Sequence, residues 1–115
     1  MDWNAYMEEI GQEIAAFSKQ VPDTVNGFTQ MGAAAKAPGA LDEKTKEIIA
    51  LGIAVATRCE SCIGFHVKSL VRLGITRDEL CEALAMATFM GGGPSYAYSA
   101  KALNAYDTFS RVSDC

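Results

Sequence analysis

The chain has only one histidine, three prolines and one tryptophan among its 115 residues, and few of its side chains, 21%, carry charge. It shows no sustained alternation of apolar and polar residues, which leaves little room for half-buried strands. The ten basic residues are scattered singly against fourteen acidic ones, for a net charge of −4. That balance opposes phosphate backbones and anionic lipid, so nucleic acid is not an expected partner. The longest apolar run, Ile48 to Ala56, is about half of the ~20 residues a membrane-spanning helix needs. The acidic N-terminus, Met1 to Glu9, lacks the basic region and apolar stretch of a signal peptide. The expectation is a cytoplasmic protein without a membrane partner, a setting in which closely spaced cysteines are more often catalytic or metal-binding than structural staples.

Hydrophobic residues make up 50% of the chain, more than one small core readily hides, which predicts homo-oligomerisation. The length fits a single domain, residues 1–115. Its pattern predicts an all-α bundle of about six helices. Met7, Ile10, Ile14 and Phe17 mark a first amphipathic helix, an outer arm ending before Val21-Pro22. A second, with Val25, Phe28 and Met31 on one side, runs from about Asp23 to Lys36 and stops at Ala37-Pro38-Gly39. Asp42 can cap a third, which turns Ile48, Ile49, Ile53 and Val55 inward and ends near Thr57. A fourth is expected from about Cys59 to a left-handed cap at Gly74. Thr76 and Glu79 form a capping box for a fifth, through Leu80, Leu84, Ala87 and Phe89. Gly91-Gly92-Gly93-Pro94 reads as a hinge before a sixth helix over Tyr96 to Arg111; its tyrosines, Tyr96, Tyr98 and Tyr106, read as core or interface residues.

The chemistry concentrates in Cys59-Glu60-Ser61-Cys62-Ile63-Gly64-Phe65-His66. Positions 59, 62 and 66 are three and four apart, so on a helix two thiols and an imidazole share one stripe. A thiol attacks as thiolate and needs a base or an electropositive neighbour. The helix N-terminus favours an anion at either cysteine, and His66, one turn beyond Cys62, can take that thiol's proton. Cys62 is therefore the candidate nucleophile; after attack on a peroxide it becomes a sulfenic acid that Cys59 is placed to condense into a disulfide. The imidazole in turn benefits from a carboxylate that holds its tautomer. Glu47 and Glu60 are the nearby options; Glu60 points about 100° off the stripe and reads as solvated. Glu47 lies on the preceding helix. Cys81 reads as a buried small hydrophobe and Cys115 as an exposed terminal thiol.

Glu47, the Cys59–Cys62 pair, His66, the segment Leu73 to Leu80 and Met90-Gly91-Gly92-Gly93-Pro94 together resemble the alkylhydroperoxidase D-like branch of the carboxymuconolactone decarboxylase superfamily, over about residues 41–104. The resemblance implies a helical bundle assembled as dimers, trimers or hexamers. It also implies thiol peroxidase or disulfide-exchange activity on a hydroperoxide or small disulfide, with a separate dithiol as reductant and no cofactor or resident metal. Carried over by residue, it makes Cys62 the peroxide-reacting thiol, Cys59 its disulfide partner, His66 the bridging base and Glu47 the distal carboxylate. The sequence departs from the well-known members at Ser61, where they carry a further relay histidine; a hydroxyl passes a hydrogen bond but does not hold charge at neutral pH.

Competing readings remain. Cys59, Cys62 and His66, with Cys81 or Glu47 as a fourth ligand, could form a structural zinc site in a non-catalytic module, though C-x2-C-x3-H within one helix is unusual for zinc. A lyase of the decarboxylase type would use His66 and Glu47 for proton transfer and leave the thiols incidental. Haem attachment requires the histidine directly after the second cysteine, and a thioredoxin-like site requires a βαβ context; neither is present.

Overall fold

The computed structural model describes residues 1–114, with side chains through Arg111. Six α-helices account for nearly all of it: α1 Trp3–Gln20, α2 Pro22–Lys36, α3 Glu43–Ala56, α4 Glu60–Arg72, α5 Arg77–Gly91 and α6 Gly93–Asp114. Their boundaries follow local chemistry. Asp2 and Asp42 cap α1 and α3 by accepting the Ala5 and Thr45 N–H groups at 3.1 and 2.8 Å. The Thr76–Glu79 capping box opens α5 as expected. Pro22 ends α1 and occupies the first turn of α2, where its missing N–H is harmless. Gly74 follows α4 with φ of +81°, a conformation costly to other residues.

Helices α3, α4, α5 and α6 form the central bundle, in which every pair but α4 and α5 is in contact, α1 lies across α4 and α6, and α2 touches only α1 and α3. The core is built from Leu51 and Val55 of α3, Ile63, Val67 and Leu70 of α4, Leu80 and Leu84 of α5, and Ala102, Ala105 and Phe109 of α6. Trp3 and Met7 seal it from the α1 side. There the α4 backbone must come close: a Cβ on Gly64 would collide with the Met7 thioether and meet the Trp3 ring.

Several sequence expectations change. Helix α3 buries Glu47, Leu51, Ala54 and Val55, whereas Ile49 and Ile53 are 49% and 60% exposed. From Ile48 onward α3 is apolar on all sides, so its periodicity could not choose a face, and the buried one carries a glutamate. Ile14 and Phe17 are exposed, because α1 runs beyond the bundle as the expected arm. Val25 is half-buried, but Phe28 and Met31 of α2 face outward, as does Phe89 at the end of α5. Helix α6 starts at Gly93, three residues early: Gly92 alone, at φ +74°, makes the break, and Pro94 sits in the first turn. Tyr98 and Tyr106 pack against the core, but Tyr96 is exposed. Cys81 is half-buried rather than buried, and the expectation for Cys115 lies outside the described residues.

Candidate functional site

The site forms where α3 turns into α4. Thr57 stays near helical geometry and its hydroxyl donates back to the Ile53 carbonyl at 2.9 Å. Arg58 then adopts φ of +57°, the left-handed region that non-glycine residues seldom occupy. Cys59 is extended, with its N–H bonded to the Ala54 carbonyl at 3.0 Å. Three residues thus reverse the chain and lay the N-terminus of α4 against the end of α3. Such local strain persists only where surrounding packing enforces it, and it tends to gather at functional sites.

Cys59 is the N-cap of α4, its sulfur accepting the Cys62 N–H at 3.3 Å. The two cysteines are joined as a disulfide, with Cα atoms 5.2 Å apart, inside the usual span for such bonds. His66 follows one turn beyond Cys62, and its Nδ1 lies 2.6 Å from Oε2 of Glu47. The carboxylate is only 1% exposed, and no buried side-chain polar atom among the described residues is left unpaired. With Nδ1–H donated to Glu47, Nε2 is the nitrogen left to exchange a proton. The structure thus brings together all four residues singled out in the sequence, Glu47 from α3 and the rest from α4.

An open groove of about 580 Å³ lies beside this constellation, lined by Cys62 and His66 together with Phe28, Met31, Ile53 and Thr57. Phe28 and Met31 were legible as an apolar stripe of α2, but nothing in their spacing tied them to the cysteines. Tyr6, which the sequence reading passed over, lies beside Ser61. Ser61 Oγ is 3.5 Å from Cys59 Sγ and hydrogen-bonds the Tyr6 side chain. Burial, and after it the negative charge of Glu60, pushes the Tyr6 phenol upward, while the Ser61 bond pulls the other way. Glu60, expected to be solvated, is half-buried and acts on Tyr6. The Trp3–Tyr6 pair, three residues apart on α1 and in edge-on contact at 5.9 Å, was the signal that could have extended the α1 stripe toward the site.

Among the described residues, no group of three or more histidine, cysteine or acidic side chains is arranged to hold a metal ion. Cys59 and Cys62 are spent on each other in the disulfide, so neither is a thiolate donor in this form. The geometry that the zinc reading requires is therefore not formed by these residues. Among the described residues no helix is long and apolar enough to cross a membrane.

Comparison with known proteins places this arrangement in context. The family model described as the carboxymuconolactone decarboxylase family matches residues 22–105. A crystal structure of a carboxymuconolactone decarboxylase family protein from Legionella pneumophila, in its apo form, is 48% identical and superposes with a TM-score of 0.90, covering 94% of this chain and 96% of that one. A Thermotoga maritima member of that family, described as a candidate for involvement in an antioxidative response, is 26% identical with a TM-score of 0.84 over 95% of this chain and 93% of its own. An uncharacterized Haemophilus influenzae protein is 40% identical over 105 residues, 91% of this chain and 93% of its own length.

Proposed function

The chain belongs to the carboxymuconolactone decarboxylase family, and from that membership and its site we propose that it is a thiol-dependent oxidoreductase reducing hydroperoxides or small disulfides through Cys62 and Cys59. The observation that carries this reading is a bonded CxxC pair at the head of a helix whose only histidine is held by a buried carboxylate. Proton transfer alone has no use for a dithiol. The antioxidative description of the Thermotoga maritima relative points the same way.

In the reduced enzyme, Nε2 of His66 takes the Cys62 proton, and Glu47 holds the ring. The thiolate attacks the outer oxygen of a hydroperoxide; the O–O bond breaks, and the alcohol leaves with the proton returned by His66. Cys62 is left as a sulfenic acid. The Cys59 thiol then attacks that sulfur, forming the disulfide and releasing water made of the sulfenic hydroxyl and the Cys59 proton. A separate dithiol reopens the bond. The apolar groove supplies a place for the organic part of the substrate. In the same proposal the working unit is a homo-oligomer and the compartment cytoplasmic.

The test is to reduce the protein, add stoichiometric peroxide and map disulfides by mass spectrometry. The Cys59–Cys62 linkage should reappear, and His66→Ala should slow its appearance by about 10²–10⁴-fold. Absence of the linkage, or equal rates in the variant, overturns the mechanism. Turnover of a lactone that survives Cys59→Ser and Cys62→Ser would instead favour the lyase chemistry of the Glu47–His66 pair.

A further inference from the structure

Helix α2 alone among the six has no buried residue, yet it supplies two side chains to the groove beside Cys62. A single residue, Val21, joins it to α1, and it touches only α1 and α3. Its far end is fixed by one side chain. Lys46 of α3 donates to the carbonyls of Ala35 and Ala37 at 3.0 and 2.6 Å, placing a cation where the last turn of a helix leaves its carbonyls unpaired. One, two and three turns beyond Lys46, the same face of α3 presents Ala50, Ile53 and Thr57, and all three line the groove with Cys62 and His66. Phe28 and Met31, three apart on α2, complete the lining. The hollow of about 580 Å³ exists because α3 offers small residues there, Ala50 and Ala54, where longer side chains would fill the space. Among the described residues that line it, none is an acid, a lysine or an arginine.

We propose that Phe28 and Met31 are the specificity-determining residues of the site, selecting substrates that carry an apolar body beside the reacting oxygen or sulfur, and that Lys46 is a positioning residue that acts through them by holding α2 in place. This rests on the oxidoreductase reading above, in which Cys62 is the sulfur that substrate approaches. Phe28 and Met31 are 71% and 62% exposed. An apolar body seated against them and Ile53 removes that surface from water, with a gain proportional to the area covered. A charged body would lose its hydration and meet no opposite charge in the lining. Hydrogen peroxide has no body to place, so α2 gives it no help. Helix α2 thus discriminates among substrates without entering the chemistry, which stays with Cys62, His66 and Glu47.

The test uses the full chain with Cys59→Ser, which leaves Cys62 a free thiol and keeps a good N-cap on α4. The protein is offered N-methylmaleimide and N-cyclohexylmaleimide, which share the reacting double bond and differ in the apolar body, and adducts are read on the Cys62 peptide by mass spectrometry. The rate ratio, cyclohexyl over methyl, should exceed that of free N-acetylcysteine several-fold. Phe28→Ala with Met31→Ala should bring it back toward the free-thiol value, by roughly fourfold for each methylene-sized contact removed. Both side chains are exposed, so circular dichroism should stay helical. Lys46→Met, which keeps the apolar stem and loses the ammonium, should also lower the ratio, and Lys46→Arg should restore it. Lys46→Met should add nothing once Phe28 and Met31 are truncated. A general loosening of the fold would raise both rates together and leave the ratio where it was. The proposal is overturned if the ratio at Cys62 equals that of N-acetylcysteine, if it survives truncation of Phe28 and Met31, or if Lys46→Met acts equally with and without them. Neither peroxide nor reductant enters this measurement, so its failure leaves the peroxide test standing, and failure of the peroxide test does not move the ratio.

Discussion

Glu47 is the residue whose place could least be read from the chain. A glutamate in an apolar helix ordinarily faces water; nearness to His66 in the sequence made it one of two options and the family resemblance chose it, and in the fold it occupies a core position and is 1% exposed. The choice was hidden because every neighbour from Ile48 to Ala56 is apolar, and the helix offered no polar face for comparison. The dithiol and His66 were legible from i, i+3 and i+4 spacing alone, since those contacts lie within one helix. Tyr6 was not, because it reaches Ser61 from a helix more than fifty positions away. If Glu47 serves His66, Glu47→Gln should slow peroxide-driven closure of the Cys59–Cys62 bond by roughly tenfold or more, the amount typical of losing a partner that orients an active imidazole. The amide fits the same space and can still accept from Nδ1–H, so the melting temperature should move little. A fall in stability with unchanged closure would make the carboxylate a structural residue.

At the level of helices, capping signals were the most reliable guide: Asp42, Thr76 with Glu79, and Pro22 all mark observed boundaries. The misplaced start of α6 comes from reading four breakers together, whereas one glycine with positive φ suffices and proline is welcome in a first turn. The helices are then cross-tied by charge. Lys44 of α3 meets Glu79 of α5 at 2.7 Å, and Arg77 of α5 grips Asp107 of α6 through two hydrogen bonds of 3.0 and 3.2 Å. Arg77 holds the Asp107 carboxyl below its ordinary value of 3.8, Lys44 does the same for Glu79 against 4.5, and the Thr45 side chain for Asp42 against 3.8. Each group is thus a stronger acid folded than unfolded, so its contribution is fully present above the unfolded value and vanishes as pH falls through the folded one. Thermal melts should show wild type above Asp107→Asn at pH 7, with the gap narrowing as pH falls below about 4 and closing only once it passes below the lowered folded value, where both carry a neutral group. A gap that persists undiminished to pH 2 would mean that packing, and not charge, ties α5 to α6.

For the molecule as a whole, the excess of apolar residues predicted homo-oligomerisation, and the fold leaves apolar side chains exposed on α2, α3 and α5. Their grouping could not be read from the chain, because Ile49 and Ile53 look like core residues until the packing of α3 is known. In fact Met86, Met90 and Ile49 line one groove and Phe28, Met31, Cys62 and His66 another, and the two share Ile53. The accessible surface is 7225 Å². A compact monomer of 12.3 kDa would expose about 6,100 Å², and the difference of roughly 1,100 Å² is of the order a specific interface buries. Exposed apolar side chains grouped in this way on a lone subunit invite association. Sedimentation at micromolar concentration should therefore give a mass that is a multiple of 12.3 kDa. Met86→Glu with Met90→Glu, placed in the groove that the cysteines do not line, should shift it toward the single-chain value by forcing two carboxylates into the contact. Circular dichroism should stay helical, since both side chains are 61% and 77% exposed in the single chain. A wild-type protein that sediments as one chain would show instead that these side chains stand open to solvent, leaving the groove beside Cys62 uncovered.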